Sequence, residues 1–412
     1  MGADGAATGG LRLGDPDAFL DGVPFEELAE LRRSTPVLWQ DLDGQPGFWA
    51  VLRHADVVTV ARRTDVFSAS LGGIVVEDMD PETLEMVRGM LLAMDPPRHN
   101  VYRTPLADTF RAAVMATLEP TIRSICREIM ERAAEQVDVE FVHDVTSALP
   151  TRVIGQLMGV PEADWDRLHE LAQQQAAGQD PDLAGDADLS AASIEMAMYA
   201  IEFAAERRAA AERHPDAEPP ADLTTLVLAQ EFDGVPMNEI DFGSFFVQLV
   251  TAGNDTSRTM LSSGLQVLLE HPEQLEALRG DPTGIPVAVE EILRYANPLH
   301  YFRRTATCDT ELGGVAIAAG DKVAMYYTSA NRDELVFDQP ERFDVTRSPN
   351  PHLSFGIGSH FCLGVHLARL EGRVFFEELL AAFPEIELAG PPVRIRSNLN
   401  NGLKQLPVRL VR

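Results

Sequence analysis

His352, His360, Cys362 and His366 lie within one short span near the end of the chain. Gly356 and Gly358 precede the cysteine in Phe355-Gly-Ile-Gly-Ser-His-Phe-Cys-Leu-Gly364 and permit a loop that folds back on itself. A helical run, Val365-His-Leu-Ala-Arg-Leu-Glu-Gly-Arg373, follows, so Cys362 is expected where a helix begins. Free backbone N–H groups and the helix dipole favour a thiolate there, and a thiolate so held is a metal ligand or a nucleophile. A plainer reading makes Cys362 a small buried hydrophobe in a glycine-rich turn. Another builds a non-haem metal site from His352, His360, Cys362 and His366, with Cys362 and His366 four apart on one helix face.

Three further groupings could do chemistry. Ala252-Gly-Asn-Asp-Thr256 puts an acid and a hydroxyl inside a long apolar run. The threonine could simply bond back to its own helix and bend it, but a buried acid is expensive without a purpose. Asn254-Asp255-Thr256 also spells a glycosylation sequon, which an apolar helix makes a false match. Glu291-Ile-Leu-Arg294 supplies an i,i+3 ion pair that in isolation would be surface decoration. His99 and Arg103 in Asp95-Pro-Pro-Arg-His-Asn-Val-Tyr-Arg103 share a helix face, which alone reads as a solvated one.

Taken with these groupings, Phe-Gly-x-Gly-x-His-x-Cys-x-Gly at 355–364 resembles the haem-thiolate signature of the cytochrome P450 superfamily at all its fixed positions. The resemblance runs from about Pro16 to Val408 and implies a mainly α protein of the triangular P450 fold, with minor sheets and a buried haem b. Residues 1–15 would be a flexible tail and 16–412 one domain. Cys362 would be the axial iron ligand, with Phe355, Gly356, His360 and Gly364 shaping its loop. Ala252 and Gly253 would leave room for dioxygen and substrate, Thr256 would hydrogen-bond iron-bound oxygen, and Asp255 would relay protons from solvent. His99, Arg103, Arg304 and His360 would hold the haem propionates. Glu291 and Arg294 would be completed by Arg342 of Pro340-Glu-Arg-Phe343, one guanidinium bridging to Glu291 to lock the loop under the haem. After Asp108 the sequence Thr-Phe-Arg-Ala-Ala-Val lacks the Phe-Thr-Pro turn often seen in the family.

The activity so implied is activation of O2 opposite a thiolate and insertion of one oxygen atom into a hydrophobic small molecule. The texture of Tyr301-Phe-Arg-Arg-Thr, Ser329-Ala-Asn-Arg-Asp-Glu and Ser397-Asn-Leu-Asn-Asn-Gly is similar to P450s acting on steroid side chains or branched lipids. Tailoring of polyketides, terpenoids or peptides in secondary metabolism stands nearly level, and a haem-binding protein without turnover is a third reading. The pocket would draw on Ile74, Val75, Gln248, Leu249, Leu299, Phe302 and Leu399, with Asn398, Asn400, Asn401 and His300 orienting a polar end. The Asp255–Thr256 pair argues against the peroxide-using branch. With no flavin or ferredoxin domain in the chain, electrons would come from a separate ferredoxin and its reductase, with NAD(P)H as donor. The ferredoxin would dock near Cys362, where Arg369 and Arg373 stand out.

The elements that must position these groups follow from composition and periodicity. In 412 residues, 34 Lys and Arg stand against 64 Asp and Glu, giving a net charge of −30 that opposes nucleic-acid and anionic-membrane binding. Cys126, Cys308 and Cys362 form no CxxC pair, as expected of a cytoplasmic chain. No membrane span is expected and the default is a monomer. Apolar spacing predicts helices over 98–137, 144–158, 162–177 and 190–213, and a central buried helix from Met237 to His271. Acidic Pro/Gly loops separate them at 178–188 and 214–222. Strands are expected at Val37–Trp39, Phe48–Leu52, Leu312–Ile317 and Lys322–Tyr327, and residues 68–97 read as an irregular mobile loop over a cavity.

Overall fold

The computed structural model describes residues 10–177, 180, 189–220, 222–232 and 234–411. Helices of two turns or more are α1 (Phe25–Ser34), α2 (His54–Arg62), α3 (Pro81–Arg88), α4 (Arg98–Ala107), α5 (Glu119–Ala133), α6 (Ala148–Met158), α7 (Trp165–Ala177), α8 (Leu189–Arg213), α9 (Glu239–Glu270), α10 (Pro272–Gly280), α11 (Ile285–Tyr295) and α12 (Val365–Ala382).

α9 is the central helix. Asn238 caps it by accepting from the Asp241 N–H, and Phe242, Phe246, Val250, Met260, Leu261, Leu265 and Leu268 are buried around its circumference. Such a helix needs neighbours on several sides, and α6, α7, α8, α11 and α12 supply them. The approach is close at Gly264, where a Cβ would lie 2.8 Å from both Ile292 of α11 and Phe376 of α12. The main helical core runs through all these elements.

A five-stranded sheet forms the other side. Its strands are β1 (Val37–Leu42), β2 (Gln45–Val51), β3 (Phe67–Ser68), β4 (Tyr301–Ala306) and β5 (Lys322–Tyr326), in the order β1-β2-β5-β4-β3. Only the β2–β5 pair is parallel. Because successive strand residues face opposite ways, Arg303 and Arg304 of β4 are sent to different jobs.

Three expectations are corrected. The helix expected over 98–137 is broken: Pro105 interrupts α4, Arg111 is extended, and the chain restarts as α5 with Pro120 in its first turn. The stretch 68–97 contains α3, started by the Asp80 cap and Pro81. Of the tail expected over 1–15, residues 1–9 lie outside the described residues. Leu13, however, is fully buried, donating its N–H to Gln40 and accepting from the Tyr326 hydroxyl. Part of the acidic loop at 178–188 also lies outside the described residues. Among them, no helix is long and apolar enough to cross a membrane.

Candidate active site

The cysteine loop is shaped by its glycines. Gly356 and Gly358 have φ of +66° and +80°, and a Cβ on Gly358 would fall 2.8 Å from the Ala61 carbonyl at the end of α2. The Cys362 N–H donates to the Phe355 carbonyl at 2.8 Å, closing the loop. α12 begins only at Val365, so Cys362 precedes the helix instead of opening it. Burial pushes its thiol up, against the Gly364 N–H and the charges of Arg103 and Arg369, which pull it down.

The same geometry removes the non-haem reading. His352 is bonded to Glu290 at 3.2 Å, His366 is exposed, and among the described residues no three of His, Cys, Asp and Glu converge.

Four donors from three elements meet beside the loop. His99 and Arg103 come from α4, Arg304 from β4, and His360 from the loop itself. The His99 and His360 rings lie 4.3 Å apart, and Arg103 donates to the Phe361 carbonyl. Arg304 is buried and, among the described residues, donates only to the Arg303 carbonyl. Burial, then the charges of Arg304, His99 and Arg103, drive the His360 pKa down to about 2. Among the described residues none of the four pairs with a carboxylate, and His99 Nε2 and His360 Nε2 are buried without a partner. Unpaired cations and orphaned ring nitrogens at one place fit a group carrying carboxylates, as the propionates of haem do.

Above the loop, α9 turns one face outward. Gln248, Leu249, Ala252 and Thr256 fall at helical spacing and are half-buried or, for Ala252, exposed, whereas Val250, Asn254, Asp255 and Ser257 are buried. Ser257 donates to Glu371 of α12 at 2.7 Å, so α12 meets α9 one residue from Thr256. Thr256 donates to the Ala252 carbonyl at 2.7 Å, the back-bond open to any helical threonine. Gly253 has a different task from the one expected: a Cβ there would strike Ile154 of α6 at 2.6 Å, so its smallness serves helix packing.

The ion-pair network behind the loop also differs in one member. Glu291 and Arg294 are fully buried and joined by two bonds of 2.7 and 2.8 Å, and Arg294 also donates to the carbonyls of Asn331, Pro340 and Arg342. The third guanidinium is that of Arg347, whose Nε lies 3.1 Å from both Glu291 oxygens, and Asn350 adds a further donor. Arg342 contributes only its carbonyl; its side chain is 58% exposed, 3.8 Å from Asp344. Five residues further along, Arg347 folds back towards a strained Gln339 (φ 45°) and donates to that residue's carbonyl.

Glu290, unremarked in the sequence, ties both flanks of the loop together by bonding His352 before it and Arg369 after it. Burial raises this carboxyl, but the bonds from His352 and Arg369 and their charges win, bringing it down to about 2. A depressed carboxylate contributes stability above its unfolded pKa and loses it as pH falls towards the folded value. Acid unfolding of Glu290→Gln, followed by circular dichroism between pH 5 and 2, is expected to show a shallower loss of stability than the unsubstituted chain. An unchanged acid limb would show that the Glu290 cluster contributes nothing.

The expected pocket residues divide. The segment 74–78 is stitched to the sheet: Arg303 N–H bonds the Ile74 carbonyl at 2.7 Å, Arg303 Nη1 the Val75 carbonyl at 3.3 Å, and Lys322 the Val76 carbonyl at 2.9 Å. Val76 N–H donates to the Tyr301 hydroxyl, and Asp78 pairs with both Arg303 and Lys322. Leu299 bridges to Asn400, Phe302 packs edge-on to Tyr327, and Leu399 lies against the β1–β2 core. The polar residues expected to orient substrate are otherwise engaged. His300 is buried, stacked on Phe19 and bonded to Thr328, while Asn398 bonds Gly14 and Glu77 and Asn401 bonds Asn297. Arg369 and Arg373 do not present free charge either, since Arg369 is held by Glu290 and Arg373 by Glu119 and Glu377.

Comparison with known proteins agrees with this geometry. Residues 285–404 match the cytochrome P450 family profile. The chain is 38% identical over 399 residues to a steroid C26-monooxygenase of Mycolicibacterium smegmatis, covering 94% of this chain and 91% of that one. It is 38% identical over 413 residues to a methyl-branched lipid omega-hydroxylase of Mycobacterium tuberculosis, covering 97% and 94%. Among solved structures, Mycobacterium marinum cytochrome P450 CYP268A2 in complex with pseudoionone superposes with a TM-score of 0.85 at 38% identity, covering 93% of this chain and 94% of that one. With relatives this similar over nearly its whole length, and a thiol loop and carboxylate-seeking cradle that fit a haem, the chain belongs to the cytochrome P450 family and is a P450 monooxygenase.

Proposed function

We propose that this monooxygenase hydroxylates a hydrophobic small molecule of the steroid or methyl-branched lipid class, drawing electrons from a separate ferredoxin. The observation that carries the substrate class is the full-length likeness to two hydroxylases of such molecules, joined to an outward face of α9 that offers Leu249 and Ala252. Haem bound through Cys362 would supply the redox chemistry that activates dioxygen.

The chain's own residues do the rest. Cys362 provides the thiolate, and His99, Arg103, Arg304 and His360 hold the two carboxylates. Ala252 and Thr256 border the reaction space, and Thr256, whose hydroxyl bonds back to the Ala252 carbonyl, is the hydroxyl that this face offers. Leu249, Ile74, Val75, Leu299, Phe302 and Leu399 offer apolar wall that excludes water. Gln248 Oε1 is buried and accepts no hydrogen bond among the described residues, which supports its accepting one from a substrate hydroxyl.

The test is optical. Reduced protein exposed to carbon monoxide is expected to show the red-shifted Soret band of a thiolate ligand. The ferric protein is then titrated with a steroid bearing an intact side chain, a methyl-branched fatty acid and a macrolide. A shift of the haem band with either of the first two supports the reading. A response to the macrolide alone favours tailoring of secondary metabolites, and absence of any Soret band defeats the haem assignment.

A further inference from the structure

Arg258 of α9 is deeply buried, with 9% of its side chain exposed, and its one ion partner among the described residues is Asp255, whose Oδ1 lies 3.4 Å from Nη2. That contact falls short of a hydrogen bond, because Asp255 Oδ1 has none among the described residues. A guanidinium carries several N–H donors, and one so deeply buried is ordinarily saturated with acceptors.

Arg258 lines a cavity of about 450 Å³, within the size range of small-molecule sites. The rest of the wall comes from the π-helical turn Val142–Thr146 with Ser147, from Gln173 of α7, and from the hairpin in which Val393–Arg394 pairs with Leu403–Gln405. Val142, Ile395 and Leu403 give this wall buried apolar side chains. His143, on the same wall, has a side chain 73% exposed, so the cavity opens to solvent.

The acids of the wall already have partners. Glu140 accepts from the N–H groups of Val142, His143 and Leu406, and Asp144 from that of Glu140. Asp180 accepts from Lys404 Nζ at 2.7 Å and from the Arg396 N–H. Asp255 does not line the cavity. Arg258 is therefore the charged lining group with donors still to fill, and it stands beside an apolar surface.

We propose that this cavity is a second ligand site, taking a small organic carboxylate whose oxygens accept from Arg258 and whose short apolar body lies on Val142, Ile395 and Leu403. A guanidinium presents a planar fork that matches a carboxylate. No bond is made or broken there. Two of the walls continue to the ligand side of α9. The hairpin lies on α9 so closely at Gly402 that an added Cβ would be 2.8 Å from Thr259 Oγ1, and its turn carries Leu399 of the proposed pocket. Two residues beyond Gln173, Gln175 accepts at 2.8 Å from Thr251, the residue before Ala252. Occupation of the cavity is coupled through these walls to the affinity for a ligand on the Ala252 side, and the coupling is reciprocal. The coupling rests on the proposed function; the binding does not.

The experiment titrates the full-length, haem-loaded protein by calorimetry at neutral pH with hexanoate, with its neutral counterpart hexanamide, and with inorganic phosphate. Hexanoate is expected to bind saturably, and hexanamide about tenfold or more weakly, as for the loss of a charge-assisted hydrogen bond. Phosphate, which has no apolar body, should bind less tightly than hexanoate. Arg258→Met should weaken hexanoate by the same factor and leave hexanamide as it was, and Arg258→Lys should retain part of the affinity. Gln405 is an exposed residue of the wall. Gln405→Glu should weaken hexanoate and Gln405→Lys tighten it. Steroid affinity, read from the haem band, should change about fivefold and then level off as hexanoate saturates, which separates coupling from competition.

Equal binding of hexanoate and hexanamide, or hexanoate affinity indifferent to Arg258→Met and to both Gln405 substitutions, would overturn the site. If Arg258→Met does not fold, hexanamide and the Gln405 pair decide. Phosphate binding as tightly as hexanoate would overturn the carboxylate assignment. A steroid affinity that saturating hexanoate leaves unchanged, or that falls without limit as hexanoate rises, would overturn the coupling. A protein without the thiolate spectrum would instead defeat the P450 reading, and the calorimetry would still report on the site.

Discussion

Arg347→Met is expected to destabilise the folded protein by about 3–5 kcal/mol, the cost of leaving a buried charge without its partner. Arg342→Ala should stay within about 0.5 kcal/mol, as for an exposed side chain with no defined role. The reason lies at Glu291, which is fully buried and receives Arg294, Arg347, Asn350 and the Asp344 N–H. Removing Arg347 leaves one guanidinium for a carboxylate arranged for two, and also frees the carbonyls of Asp338, Gln339 and Arg342. Removing the Arg342 side chain leaves its carbonyl, the part that the network uses, in place. Urea denaturation checks the pair, comparing midpoints at constant m. Equal midpoints for the two variants would show that Arg347 is not the third member.

The second large effect is expected at Cys362. Cys362→Ser should abolish both the thiolate-type carbon monoxide spectrum and product formation, while stability in the absence of haem stays within about 1 kcal/mol. The separation follows from how the loop is held. Its closure uses the backbone of Cys362 and Phe355, and its turns use Gly356 and Gly358, so the fold asks nothing of the sulfur. The proposed chemistry depends on it: burial raises the thiol, and the Gly364 N–H, Arg103 and Arg369 are the groups that favour its anion. A red-shifted band persisting in Cys362→Ser would place the ligand elsewhere.

Much of this was legible in the letters because it depended on short-range pattern. The central helix announced itself through apolar residues on nearly every side, and its observed limits, Glu239–Glu270, lie within two residues of those read. Strands β2 and β5 were marked by turn glycines and apolar pairs. Glu291, Arg294 and the cysteine loop carried family motifs. What was missed depended on contacts across the fold. Arg342 and Arg347 are both arginines shortly after Pro340, and only the folded chain, where Arg347 bonds the Gln339 carbonyl and Glu291 together, shows which one reaches Glu291. Gly253 looked like space for a ligand because nothing in the sequence shows Ile154 lying against it. His300, Asn398 and Asn401 looked like substrate contacts because their bonding partners are far away in the chain. The break after α4 was signalled by Pro105, and continuous apolar spacing masked it.

The anchoring of residues 74–78 bears on how such a protein diversifies. Ile74 and Val75 are held through their carbonyl oxygens, by Arg303, and not through their side chains. A mutation at either position therefore changes the side chain, which in the proposed pocket would be the wall met by a ligand, without releasing the segment from the sheet. Arg303 is the opposite case: Gly72 packs so closely on it that an added Cβ would lie 2.1 Å from its Nη2, and loss of its side chain would remove the bonds to the Val75 carbonyl and Asp78 while those from Lys322 and Tyr301 remain. Side chains at 74 and 75 are thus free to change without loosening the segment, whereas 72 is tied to 303 by their close approach.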